Sequence, residues 1–447
     1  MTPLLYVLGV VLFAVGIALS IGLHEIGHLV PAKRFGVRVT QYMIGFGPTI
    51  WSRRKGETEY GVKAIPLGGY IRMIGMFPPK RGADPRLLRS SSTGRMSLLM
   101  DQARAQSMEE LQPGDEKRVF YRLSVAKKVV VMMGGPTMNL IIAAVLLTIT
   151  TTAFGSLVPS TSVAGVSACV LPASAPVSAS CQPSDTKAPA AAAGIHPGDK
   201  ILSFDGKPAT SWDALTASIR SSSSASVPVV VRRNGHDVTL QITPILTDRP
   251  VFDSKGNVQR TASGAIRTER VGFLGVTAAQ TLQPESLSAV PGKLWTGISG
   301  TAGVVLRIPQ KMVGVAQAAF GSGARDPNGP VSVVGVGRFA GEIASAKDSG
   351  GYGGEQKLAD LLNVIAALNI ALFVFNLIPL LPLDGGHVAG ALWEGARRQI
   401  ARVRRRADPG PTDVARLLPI AYAASALLIA MSVLLIYADL VNPIKLG

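Results

Sequence analysis

The sequence predicts a polytopic α-helical membrane protein with four transmembrane helices, a membrane-associated β-hairpin region and a β-rich extracytoplasmic domain. Three observations carry this fold class. The mean hydropathy of the 447 residues is +0.31. Four apolar runs are long enough to cross the roughly 30 Å hydrocarbon core as helices: Pro3–Leu23, Val129 to about Thr152, Leu361–Leu383 and Leu417–Ala438. Between them lie short β-prone runs punctuated by glycine, which read as hairpins.

The first run is free of charge from Pro3 to Leu23 and passes directly into His24-Glu25-Ile26-Gly27-His28. It lacks the basic leader of a signal peptide, and cleavage would separate it from the histidines, so it reads as a retained span. An HExxH sequence puts two imidazoles four residues apart on one helix face. That spacing suits two ligands of a tetrahedral zinc, with Glu25 in reach of a water at the open position. Ionisable groups at membrane depth are costly, and at the end of a span they point to a site.

Val37–Arg72 contains Val37-Arg38-Val39-Thr40, Glu59 to Ala64 and Gly68 to Met73, all with strand character. Part of it is expected to dip towards the membrane, where an exposed edge can take an added strand. An ordinary cytoplasmic β-meander is the alternative. Met76–Arg118 reads as a loop. The second span carries Gly135-Pro136-Thr137-Met138-Asn139, and a Pro/Ser/Ala-rich stretch behind it holds the chain's two cysteines, Cys169 and Cys181. An oxidising outer compartment would allow these to pair.

From Ala191 to about Pro244 the chain reads as a small β-rich module. Ala193-Gly194-Ile195-His196-Pro197-Gly198-Asp199 leads to a turn at Asp205-Gly206, a helix over Trp212–Ser222 and a hairpin at Asn234-Gly235. This order resembles a PDZ domain, whose groove takes peptide C-termini as an added strand. His196 and His236 read as surface residues. Asp248–Glu269 is polar and reads as an insertion. Leu282–Phe320 reads as an amphipathic helix on the outer membrane face, because its charge-free core, Leu294–Leu306, is too short to span. The third span contains Asn363, Asn369 and Asn376, with Pro379 and Pro382 near its end; such residues line a protein interior or cavity. Asp384 sits at its inner end. It is a better third ligand than His387, although Asp384-Gly385 by itself reads as a helix-ending turn.

The expected division is residues 1–28, the first span with HExxH; 29–128, a β region and basic loop; and 129–158, the second span. Then come 159–190, a loop; 191–245, the PDZ-like module; and 246–357, a linker with the amphipathic segment. Residues 358–392 form the third span, 393–416 a basic loop, and 417–447 the fourth span and tail.

The net charge of +17 is unevenly placed. Lys33–Lys128 holds 19 Lys/Arg against 8 Asp/Glu, and Trp393–Arg416 holds seven Arg, whereas Thr161–Lys357 holds 18 basic and 13 acidic residues. Lys and Arg concentrate in cytoplasmic loops. The two basic loops are therefore expected inside, and both termini and the middle segment outside. Contact with anionic lipid accounts for the basic loops, and no nucleic-acid partner is expected.

Together these pieces resemble the site-2 protease family of intramembrane zinc metalloproteases. The resemblance rests on HExxH in the first span, Gly68-Gly69-Tyr70, Gly135 to Asn139, the PDZ-like module, Gly329-Pro330-Val331-Ser332, and Asn376 to Gly386. It implies that His24, His28 and Asp384 bind Zn2+, that Glu25 is the general base, that Asn376 helps hold the substrate backbone, and that the strand at Gly68, Gly69 and Tyr70 pairs with it. It also implies regulated intramembrane proteolysis of single-span proteins such as anti-sigma factors, or of remnant signal peptides, in a bacterial cytoplasmic membrane. The family commonly writes its last motif NxxPxPxLDG; here the second proline falls one place later, at Pro382. A catalytically silent PDZ-bearing membrane scaffold is the alternative. A zinc transporter would need ligands on several spans.

Overall fold

A computed structural model of the chain describes residues 3–78, 111–172, 175, 180–251, 258–261, 264–321, 323, 325–327, 329–348 and 352–444. Most of the loop expected at Met76–Arg118, and part of the insertion at Asp248–Glu269, lie outside the described residues. In chain order the helices are α1 (Pro3–Arg34), α2 (Val125–Ile149), α3 (Pro189–Ala192), α4 (Trp212–Arg220) and α5 (Val290–Leu306). They continue as α6 (Ile308–Phe320), α7 (Val333–Ser345), α8 (Gly354–Asn376), α9 (Asp384–Val403) and α10 (Leu418–Val441). The chain forms two compact units: Met1–Thr152 with Ser286–Ala346 and Leu358–Gly447, and Ala153–Glu285 with Lys347–Lys357.

Among the described residues of the first unit, α1, α2, α8 and α10 are the four helices long and apolar enough to cross a membrane. Lipid gives apolar helices little reason to associate, so small residues and buried hydrogen bonds do the joining. Gly27 of α1 and Gly134 of α2 meet backbone to backbone, and a Cβ on either would overlap the other's carbonyl. Asn369, fully buried in α8, donates from Nδ2 to Ser20 Oγ of α1 and to Ile365 O, both at 2.9 Å. Phe13 packs with Ala340 of α7 and with Leu361 and Ile365 of α8.

Three features of this unit differ from the sequence-based expectation. The third span ends at Asn376 instead of Leu383, and a new helix, α9, begins at Asp384. Pro379 and Pro382 lack an N–H and restrict the residues before them, so the helix cannot run through. The expected turn at Asp384-Gly385 is thus a helix start, and α9 absorbs the first part of the loop expected at 393–416. Glu394 of α9 is held by Lys128 of α2 at 2.8 Å, by Arg398 at 3.0 Å and by the Thr412 N–H at 3.0 Å. The single amphipathic segment is two helices, separated where Pro309 follows Arg307-Ile308. Of these, α5 packs Leu294, Ile298, Ala302 and Val305 against Ala143, Ile370 and Val374, and α6 packs Val315 and Ala319 against Ala438. The third feature is α7, capped by Ser332, whose Oγ accepts from the Gly335 N–H. The Ser332 N–H in turn donates to Asp439 Oδ2 at 2.7 Å, and Asp439 also pairs with Arg325.

Behind α1, strands β1 (Val39–Lys55) and β2 (Thr58–Met73) form one long bent hairpin in place of several short ones. Gln41 to Ile44 pair on one side with Glu59 to Val62 and on the other with Gly69 to Arg72, while Glu59 to Val62 also pair with Trp51 to Arg54. The hairpin therefore curls into a sheet four lanes wide, with Gly69–Arg72 as one edge lane.

The second unit holds β3 (Ser156–Val166), β4 (Lys200–Phe204), β5 (Lys207–Pro208), β6 (Val227–Arg233), β7 (His236–Ile242), β8 (Ile245–Pro250), β9 (Thr268–Phe273) and β10 (Val276–Gln283). The sheet order is β10-β3-β4-β6-β7, with β5 beside β4, and β8 pairs β9 apart from it. Ile201, Phe204, Leu215, Ile219, Val229, Val231 and Ile242 form its core. The boundary expected at 191–245 is too narrow, because β3 and β10 from outside it complete the sheet, and the ends of the expected polar insertion pair as β8 and β9. Cys169 and Cys181 form a disulfide, and His196 and His236 are exposed.

Candidate metal centre

The helical repeat brings the His24 and His28 rings together edge-on, with centroids 4.9 Å apart. The first residue of α9 completes a triangle with them. Nε2 of His24 and Nε2 of His28 are 3.2 Å apart, and Asp384 Oδ2 lies 3.4 and 3.3 Å from them. Ligands about 2.0–2.1 Å from a tetrahedral zinc would be separated by about 3.3 Å. The donor chemistry agrees. His28 Nδ1 lies 2.8 Å from Val131 O, which can only accept, so Nδ1 carries the proton and Nε2 a bare lone pair. Among the described residues, Asp384 Oδ2 is buried with no hydrogen-bond partner. A carboxylate oxygen and an imidazole lone pair converging beside a second imidazole suit a cation, and these three residues could hold one.

The second span lies against this triangle. A Cβ on Gly135 would sit 2.6 Å from His24 Nε2 and closer still to His28 Nε2, so only glycine leaves the rings their space. Asn139 Nδ2 lies 3.0 Å from His24 Nδ1. Tyr42 of β1 donates to Gly22 O at 2.7 Å, tying the sheet to the turn before His24, and burial pushes its phenol up to about 12.

Glu25 is buried between the two histidines in sequence and faces the edge lane of the sheet. A Cβ on Gly69 would lie 3.0 Å from Glu25 Cγ. Gly69 therefore runs beside the HExxH helix, whereas a Cβ on Gly68 would meet the Phe46 ring. Tyr70 stacks on Phe46 with centroids 6.3 Å apart. Asn376 is half-buried at the end of α8, outside the triangle, and His387 lies in the first turn of α9. Val131, Gly135, Asn139 and Tyr42 had no individual role in the sequence reading. The one legible signal was an amide, Asn139, inside an apolar run.

The family model for peptidase family M50 matches residues 12–407. The chain belongs to peptidase family M50. It is 35% identical over 450 residues to zinc metalloprotease Rip1 of Mycobacterium bovis, covering 99% of this chain and all of that protein. Zinc metalloprotease Rip1 of Mycolicibacterium smegmatis is 31% identical over 468 residues, covering 99% of this chain and all of its own length. Metalloprotease MmpA of Caulobacter vibrioides is 26% identical over 406 residues, covering 89% and 88%. As an M50 member with four apolar helices, the chain is a multi-pass membrane zinc metalloprotease of the site-2 protease family.

Proposed function

We propose that His24, His28 and Asp384 hold the zinc, that Glu25 is the general base, and that the enzyme cuts single-span membrane proteins within or near their transmembrane segments. The observation that carries this is the triangle of three potential ligand atoms 3.2–3.4 Å apart with Glu25 on the same helix. Zinc, when bound there, supplies a Lewis acid that acidifies water and polarises a peptide carbonyl. Glu25 takes the proton of the attacking water and returns it to the leaving amine.

A helical substrate hides its peptide bonds and must be extended before cleavage. Gly68, Gly69 and Tyr70, at the start of the edge lane, take an unwound segment as a further strand, and Asn376 helps hold the substrate backbone. Anti-sigma factors and remnant signal peptides are the substrate classes. The sheet module at 191–245 acts as a PDZ-like domain outside the bacterial cytoplasmic membrane and admits substrates already trimmed there, with peptide C-termini as its ligands. Both chain termini lie on that outer side. The test is cleavage of a tagged single-span anti-sigma-type protein in detergent micelles. The wild type should release a shortened fragment and Glu25→Gln should not; release by both would overturn the assignment.

A further inference from the structure

Asn139 stands in the second span without a role in the hydrolysis just described. It is fully buried; its Nδ2 lies 3.0 Å from His24 Nδ1, and its Oδ1 is buried with no partner among the described residues. An amide nitrogen donates and cannot accept. With Nδ2 facing the ring, Nδ1 must be bare and the ring proton must sit on Nε2. That nitrogen is the one 3.2 Å from His28 Nε2 and 3.4 Å from Asp384 Oδ2, and a protonated nitrogen offers a metal nothing. A half-turn of the carboxamide exchanges its two ends. Oδ1 then accepts from Nδ1–H, Nδ2 takes the place where the oxygen stood, and His24 Nε2 is left as a lone pair.

His28 is already arranged in this way by Val131 O. Val131, Gly135 and Asn139 are spaced four residues apart and so follow one face of α2. That face would orient one imidazole, leave room for both, and orient the other. The competing view is that Asn139 is only a buried interhelical hydrogen bond, which either orientation of the amide satisfies.

We propose that Asn139 is a positioning residue whose Oδ1 holds His24 in the Nδ1–H tautomer and keeps Nε2 free for the metal. The proposal rests on the reading of His24 as a zinc ligand. Aspartate at 139 keeps an acceptor and removes the donor, whereas leucine removes both.

The experiment uses full-length protein in detergent. Zinc affinity is read by chelator competition, and the histidine tautomers by nitrogen-15 NMR of the zinc-free protein. Asn139→Asp should bind zinc within a fewfold of wild type. Asn139→Leu should lose about 10- to 100-fold, and its His24 should shift towards the Nε2–H tautomer while His28 stays Nδ1–H. Wild-type affinity in Asn139→Leu overturns the proposal, as does an equal loss in Asn139→Asp. So does a His28 tautomer that shifts along with that of His24, which would mark a general collapse of the site. His24→Ala in the same assay separates the two levels: if it still binds zinc as wild type does, the ligand assignment itself is wrong.

Discussion

Gly135→Ala puts one methyl group where the two ligand rings lie. Its Cβ would sit 2.6 Å from His24 Nε2 and nearer to His28 Nε2. Relief to an ordinary contact of about 3.5 Å needs a shift of about 1 Å. The rings cannot swing away freely, because His28 is held at Val131 O and His24 at Asn139. The helices cannot part easily either, since Gly27 and Gly134 are in backbone contact one residue away. Zinc–ligand distances tolerate about 0.2 Å, and a misplacement of about 1 Å at a catalytic centre costs about 100-fold in rate. Helix propensity acts in the opposite sense, favouring alanine by about 1 kcal/mol. The variant should therefore lose zinc and at least 100-fold in cleavage, with helix propensity offsetting only part of the strain in a detergent thermal melt. Gly135→Ala protein with normal zinc content and normal cleavage would refute the reasoning.

Glu25→Gln keeps the size of the side chain but cannot take a proton, so it should retain one zinc per chain and lose cleavage by 100-fold or more. Lys128→Met leaves Glu394 buried, with Arg398 and the Thr412 N–H still present. It should destabilise by about 3 kcal/mol, with most of the loss recovered in Lys128→Met/Glu394→Leu; thermal melts of the two variants check this. In the sheet module, the Arg233 guanidinium, 2.7 Å from Asp199 Oδ2, holds that carboxyl below the usual carboxylate range. The pair's stabilisation is therefore in force above the unfolded Asp pKa of about 3.9 and is lost as pH falls through the lower folded value. Hydrogen exchange at Val229 and Val231 should be slower in wild type than in Asp199→Asn at pH 7, and the difference should close in acid.

The parts of this molecule legible from sequence are those set by local spacing. His24 and His28 share a face because four residues is about one helical turn, and the four apolar runs are long enough to announce themselves. Asp384 was legible as a residue, but its setting was misread. Hydropathy continues through Leu377 to Leu383, and two prolines outweigh it, so the carboxylate starts a helix where one was expected to end. The four-lane sheet was hidden because Gln41 to Ile44 pair with two segments 18 and about 30 residues away, and no periodicity encodes such pairing. Helix α7 was hidden for the opposite reason: thirteen residues with three glycines give a weak local signal, and burial against α1 stabilises it. Gly135 and Asn139 could be read only once α2 was placed against α1, since their effect lies in what their neighbours would otherwise do.

The most direct test of the central claim is zinc stoichiometry with X-ray absorption at the zinc edge, on wild type, Asp384→Asn and Glu25→Gln purified in detergent. The wild type should hold one zinc with two imidazoles, Glu25→Gln should show the same environment, and Asp384→Asn should hold markedly less zinc. Full zinc occupancy in Asp384→Asn with an unaltered spectrum would contradict the claim, because the ion would then be held somewhere other than the triangle of His24, His28 and Asp384.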